Sequence, residues 1–283
     1  MQAENKSLKK EEIMKICVVG LGLMGGSFSL ALRRAGYTVF GYDKNKLART
    51  YALNNGVVDG ISEDFSAFDI IIVALPYEDT VDFLETTAFK DGAYVTDICG
   101  VKGVIEAVIC RKYRTFKYVG CHPMAGKERS GIEYASADLF RGANMIITIN
   151  GFTDKCAVEM FESLFKEIGF GKIVKCSADC HDKKIAYTSQ LAHIVSNAYV
   201  KDNEIKNCLY FTGGSFQDMT RIAGVDEKVW SSLYLANKDN LSEKIGSLIN
   251  SLQELKDAVD SGDKGRLEKV LAEGKEVFEN NKN

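Results

Sequence analysis

The stretch Lys15-Ile16-Cys17-Val18-Val19-Gly20-Leu21-Gly22-Leu23-Met24-Gly25-Gly26 limits what this chain can fold into more than any other. The apolar run Ile16 to Val19 is too short and too β-branched for a helix, and the triplet Gly20-x-Gly22-x-x-Gly25 follows it without a gap. A strand that enters a glycine turn and continues as a helix is what a dinucleotide needs. Gly20 permits the tight turn, Gly22 has no Cβ to hold a pyrophosphate off the backbone, and Gly25 lets the helix pack closely on its strand. The N–H groups freed at this turn, with Leu23 and Met24 among the expected cofactor contacts, face the anion. Glycines also serve ordinary turns, so the flanking strand and helix carry the inference.

The following residues extend the pattern. Met24, Phe28, Ala31, Leu32 and Ala35 recur at helical spacing, Gly36 closes the helix, and Thr38 to Tyr42 forms a second strand ending at Asp43. Such a βαβ unit places a crevice at the carboxyl ends of its strands. Asp43 stands about twenty residues after the glycines, where a carboxylate accepts hydrogen bonds from ribose hydroxyls and repels a 2′-phosphate. NAD is therefore expected over NADP, with Lys44, Lys46 and Arg49 keeping the phosphorylated form open. Alternatively, Asp43 caps the helix that starts near Lys44.

Asp69 to Leu75 reads as a buried strand, Pro76 opens the next helix at the cofactor edge, and Ala93 to Ile98 is a further strand. Phe116 to Gly120 leads into Cys121-His122-Pro123-Met124-Ala125-Gly126. Proline disfavours α geometry in the residue before it, so His122 is expected extended, just past the strand's carboxyl end. An imidazole there can take a proton near neutral pH, or it can fill a turn by hydrogen bonding. A strand over Asn144 to Ile149, a helix over Ala157 to Ile168 and a strand over Lys172 to Val174 complete the series.

From Ser177 onward helical periodicity replaces strands. The expected architecture is α/β: a flexible extension over residues 1–13, a Rossmann-type doubly wound, mostly parallel sheet over 14–176, and an all-helical domain over 177–283. Ser189 and His193, four residues apart, fall on one helix face, as ligands or as buried hydrogen-bonding residues. Arg221, after Gly213-Gly214-Ser215, can clamp a carboxylate with its planar fork or pair with Asp218. The apolar stripe Leu241, Ile245, Leu248 and Leu252 suggests helices packed on a second subunit, a homodimer through the helical domain.

Composition excludes several classes of function. With 36 basic and 39 acidic side chains the net charge is −3, which gives no reason to expect nucleic acid or an anionic membrane as partner. No apolar run reaches membrane-span length, and the polar start lacks a signal-peptide core, so a cytoplasmic protein is expected. Eight scattered cysteines read as reduced thiols. Cys176, Cys180 and His181 lie close together but without a second ligand pair at zinc-site spacing, so no metal is expected.

Taken together, Gly20-Leu-Gly-Leu-Met-Gly25, His122-Pro-Met-Ala-Gly126, Ser189-Gln-Leu-Ala-His193 and Phe216-Gln-Asp-Met-Thr-Arg221 with Trp230 resemble, in order, the motifs of the prephenate dehydrogenase family, from about Met14 to at least Trp230. The resemblance implies NAD-linked oxidative decarboxylation of prephenate to 4-hydroxyphenylpyruvate in tyrosine biosynthesis. His122 would accept the proton of the ring hydroxyl, His193 and Arg221 would hold the carboxylates, Ser189 would support them, and Trp230 would wall the pocket. Where the family commonly has Asp-x-Gly-Ser-Val-Lys, this chain has Asp97-Ile-Cys-Gly-Val-Lys102. The serine position is Gly100, leaving its hydrogen bond to a water or to Cys99. Lys127 stands where the family often has a hydroxyl residue. Pointing inward, it would attract prephenate and disfavour the amine of arogenate. Relatives with a regulatory domain are longer, so tyrosine inhibition, if present, is expected at the active site. The competing readings are arogenate dehydrogenase, a β-hydroxyacid dehydrogenase, which would be expected to carry a lysine on a second-domain helix, and a catalytically silent NAD sensor.

Overall fold

The computed structural model describes residues 14–281 apart from 112 and 128, with the backbone alone at 209. The expected extension over residues 1–13 lies outside the described residues. Eight strands form one sheet in the order β3-β2-β1-β4-β5-β6-β7-β8. They are β1 (Ile16–Val19), β2 (Val39–Tyr42), β3 (Gly60–Ile61), β4 (Ile70–Val73), β5 (Tyr94–Asp97), β6 (Lys117–Pro123), β7 (Met145–Thr148) and β8 (Ile173–Cys176). All neighbours pair in parallel except β6 and β7.

The strand interiors are apolar on both faces because helices cover both. Ile16, Val18, Ile70 and Ile72 turn to one core, with α1 (Leu23–Arg34) and α5 (Lys155–Glu167). Their alternating neighbours Cys17, Val19, Ile71 and Val73 turn to the other, with α3 (Tyr77–Thr86) and α4 (Gly103–Ile109). The period of two along each strand thus becomes two cores. Strand order reverses between β1 and β4, so the crevice outside their carboxyl ends is the switch point at which such sheets bind ligands. The remaining helix of this half is α2 (Lys46–Asn54).

After Cys176 the chain is helical: α6 (Ala178–Ile185), a π-helical turn over Ala186–Gln190, α7 (Leu191–Tyr199), α8 (Gly214–Thr220), α9 (Glu227–Ala236), α10 (Lys238–Asp260) and α11 (Lys264–Asn280). Among the described residues no helix is long and apolar enough to cross a membrane. The expected outward stripe is divided. Leu241 is buried with Ala186 and Leu191, Ile245 and Leu248 pack against that small core, and only Leu252 stays exposed. Ile249, Val259, Leu271, Val277 and Phe278 are the other large exposed apolar residues of α10 and α11.

One expected boundary is corrected. β6 runs to Pro123, so His122 lies within the strand and not after it. Parallel pairing with β5 ends at Asp97 opposite Gly120, but antiparallel β7 pairs on from Gly120 to Pro123, with His122 opposite Ile146. Pro123 is tolerated because the β5-facing edge has no strand beyond Gly120 and needs no N–H donor there.

Candidate active site

The glycine turn has the geometry its spacing implies. Gly20 has φ +92°, and a Cβ at Gly25 would stand 1.7 Å from the Gly20 carbonyl oxygen, so neither position admits a side chain. A Cβ at Gly22 would meet nothing within 4 Å: the space before it is open for a ligand. The first helical bond runs from Gly26 N–H to Gly22 O, which leaves the N–H groups of Leu23, Met24 and Gly25 outside the helical ladder. Their side chains serve packing instead, Leu23 being buried and Met24 lying against the core.

Asp43 closes this site. One carboxylate oxygen accepts from Leu21 N–H at 2.7 Å and the other from Asn45 N–H at 2.7 Å. The helix cap is Asn45, whose side chain accepts from Leu47 N–H at 2.9 Å. Asp43 therefore spans the turn without capping α2, and each oxygen keeps accepting capacity. Together with Leu21, Gly22, Ile132 and Glu133 it lines a cavity of about 330 Å³. Asn45 and Tyr51 line the same hollow, so an adenosine ribose would meet side-chain donors as well as the Asp43 carboxylate there, and a pyrophosphate fits the bare turn beside it. Pro76 caps α3 directly after β4, on the same edge of the sheet.

Along that edge β6 presents His122. Its Nδ1 lies 2.9 Å from His181 Nε2, and His181 Nδ1 lies 2.7 Å from Asp182 Oδ1. The residue is half-buried, and burial, then the neighbouring His181, then the Lys102 ammonium hold its pKa well below 6.5. His122 is therefore neutral at neutral pH, the form a proton acceptor must have.

Beneath it lies a closed polar cluster. Lys102 and Asp97, both wholly buried, form an ion pair, and Tyr118 donates to the second Asp97 oxygen. Asp97 also accepts from Cys99 N–H at 2.8 Å. The Cys99 thiol is committed elsewhere, 3.2 Å from Thr80 Oγ1 and 3.5 Å from the Leu75 carbonyl, and burial pushes its pKa up to about 12. It does not replace the serine expected at position 100. A Cβ on Gly100 would instead stand 3.7 Å from His122 Cε1 and 3.8 Å from Leu233 Cδ2, room for a small group.

The helical half contributes His193, whose ring centroid is 4.0 Å from that of Trp230 and whose Nδ1 donates to the Ile222 carbonyl at 2.9 Å. That bond leaves Nε2 of a neutral ring as acceptor. Trp230 also touches Tyr234, at 5.5 Å between centroids. Arg221 is exposed at the end of α8. Ser189 is half-buried in the π-helical turn that leads into α7, four residues before His193. Lys127 does not turn toward the histidines: its ammonium lies 3.4 Å from the Tyr134 carbonyl, on the nucleotide side. His181, grouped in the sequence with Cys176 and Cys180, turns to His122. With Asp182 it is what the sequence reading missed.

Family models for the nucleotide-binding domain and the dimerization domain of prephenate dehydrogenase match residues 28–175 and 177–273. The chain is 31% identical over 266 residues to a prephenate dehydrogenase of Bacillus subtilis, covering 88% of this chain and 71% of the relative. A prephenate dehydrogenase from A. aeolicus, solved in complex with hydroxyphenyl propionate and NAD+, superposes with a TM-score of 0.83 at 29% identity, over 96% of this chain and 99% of the other. An arogenate dehydrogenase from Synechocystis gives a TM-score of 0.78 at 26% identity, over 94% and 99%.

Proposed function

We propose that this chain, which belongs to the prephenate dehydrogenase family, oxidises prephenate to 4-hydroxyphenylpyruvate and carbon dioxide in tyrosine biosynthesis. It is an NAD-dependent dehydrogenase. Bound NAD supplies the acceptor for the hydride leaving ring C4. The chain supplies the rest. The turn at Gly20, Gly22 and Gly25 with Leu23, Met24, Asp43 and Pro76 holds the coenzyme, and the Asp43 carboxylate disfavours a 2′-phosphate and hence NADP. His122 takes the ring hydroxyl proton as the hydride departs, and loss of carbon dioxide then makes the ring aromatic. The single observation that carries this reading is the place of the His122 imidazole on the cofactor edge of the sheet, with Nδ1 2.9 Å from His181 Nε2.

The substrate's two carboxylates need donors on two sides. Arg221 suits that task, and His193 does so with both ring nitrogens protonated, donating from Nε2, with Ser189 supporting them and Trp230 excluding water. A charge-assisted hydrogen bond contributes about 1.5–3 kcal/mol, so Arg221→Ala is expected to raise KM for prephenate by roughly 10- to 150-fold with kcat much less affected, as read in steady-state kinetics. The two halves, 14–176 and 177–283, act as nucleotide and substrate domains, and the second pairs two copies through the exposed apolar residues of α10 and α11.

Arogenate is the second reading. The commitment of Lys127 to the Tyr134 carbonyl favours it, because the cation expected to discriminate against the amine is not turned to the substrate side. Purified protein given NAD with prephenate, and separately with arogenate, decides the matter through the absorbance of NADH. Turnover of prephenate is the expected result. Turnover of arogenate alone would move the assignment, and no NADH from either would leave a silent NAD sensor.

A further inference from the structure

The helical half begins with two residues that reach back into the sheet. Asp182 on α6 is 6% exposed and His181 is 1% exposed. Asp182 Oδ1 accepts from Lys102 N–H at 2.9 Å and Oδ2 from Gly103 N–H at 2.8 Å, which fixes both oxygens as acceptors. A Cβ at Gly103 would stand 2.9 Å from Oδ2, so glycine there keeps the approach open. The Asp182 carbonyl accepts from Asn237 Nδ2 at 2.9 Å, which ties the same residue to the helical core.

Hydrogen-bond chemistry then runs in one direction. Facing a carboxylate at 2.7 Å, His181 Nδ1 must donate. A neutral ring with its proton on Nδ1 has its lone pair on Nε2. At 2.9 Å from that lone pair, His122 Nδ1 must donate in turn. The lone pair of His122 is left on Nε2, which faces the space before Gly100: a Cβ there would lie 3.8 Å from it. Lys102, the other charged group against the ring, offers no acceptor and cannot reverse the order.

We propose that His181 and Asp182 are positioning residues that set the tautomer of His122 and aim its proton-accepting nitrogen at the substrate hydroxyl. The proposal deepens the reading of His122 as the base and rests on it. Asp182 also stabilises the imidazolium formed when the proton arrives, through His181.

The chain has three histidines, which makes a direct test practical. In the full-length protein with NAD, nitrogen-15 histidine spectra at neutral pH should show His122 and His181 both protonated on Nδ1 and bare on Nε2. A proton on His122 Nε2 would overturn the proposal, whatever the activity. In kinetics, His181→Leu should lower kcat by about 100-fold with KM and NAD affinity unchanged, and His181→Gln, whose carbonyl oxygen can accept from His122 Nδ1, should recover part of it. Full kcat in the leucine variant also overturns it. Parent protein that makes no NADH from any cyclohexadienyl substrate removes the base reading instead, and the spectra still decide the tautomer.

Discussion

Replacing His122 by asparagine is expected to lower kcat by about 10²- to 10⁴-fold while NAD affinity stays unchanged. Asparagine matches the imidazole in reach and can hold a hydrogen bond to His181, so the sheet and the nucleotide turn keep their shape. It cannot take a proton at neutral pH, and that step alone is lost. The parent's pH dependence follows from the same imidazole. Only the neutral ring accepts a proton, and burial, His181 and Lys102 hold its pKa well below 6.5. If His122 is the base, activity is expected to be fully present at pH 7 and to be lost as pH falls through that lowered value, with the acid limb of kcat below 6.5. Steady-state rates across pH, with NAD binding measured by fluorescence, check both parts. An asparagine variant that turns over like the parent would remove His122 from the mechanism.

The second large effect concerns stability. Lys102→Met is expected to destabilise the fold by about 3–5 kcal/mol, because it strands the Asp97 carboxylate in a fully buried site. Tyr118 and the Cys99 N–H remain as donors to Asp97, but neither carries a charge. Adding Asp97→Asn should restore part of the loss: the amide oxygen can accept from Cys99 and the amide nitrogen can donate to Tyr118. Urea denaturation of the single and double variants measures the coupling. If Lys102→Met unfolds at the parent's midpoint, the pair is not holding this part of the sheet.

The two halves of the site differ in how far they were legible in the sequence. The glycine turn and Asp43 could be read because local backbone chemistry fixes them: a short β-branched run, a positive φ at Gly20 and a carboxylate at a set distance along the chain. The strands β1 and β4 were equally plain, since burial on both faces makes every residue apolar. The true end of β6 was hidden. Pro123 looks like a terminator, and only the antiparallel partner, 22 to 28 residues further on, extends the ladder past His122. The π-helical turn was hidden too, because it changes the register by one residue without any glycine or proline to announce it. Least legible was His181. It lies 59 residues from His122 in sequence and close to two cysteines, so chain neighbours gave it no role, while the fold paired it with another imidazole.

Because antiparallel pairing carries β6 through His122 to Pro123, the imidazole hangs from a ladder rung and not from a loop. Local fraying at the mouth of the cleft therefore cannot displace it; its neighbours must unzip from β7 first. The amides around Cys121 should exchange with solvent about as slowly as those at the centre of the sheet, so that the ring of His122 keeps its place until the whole half melts.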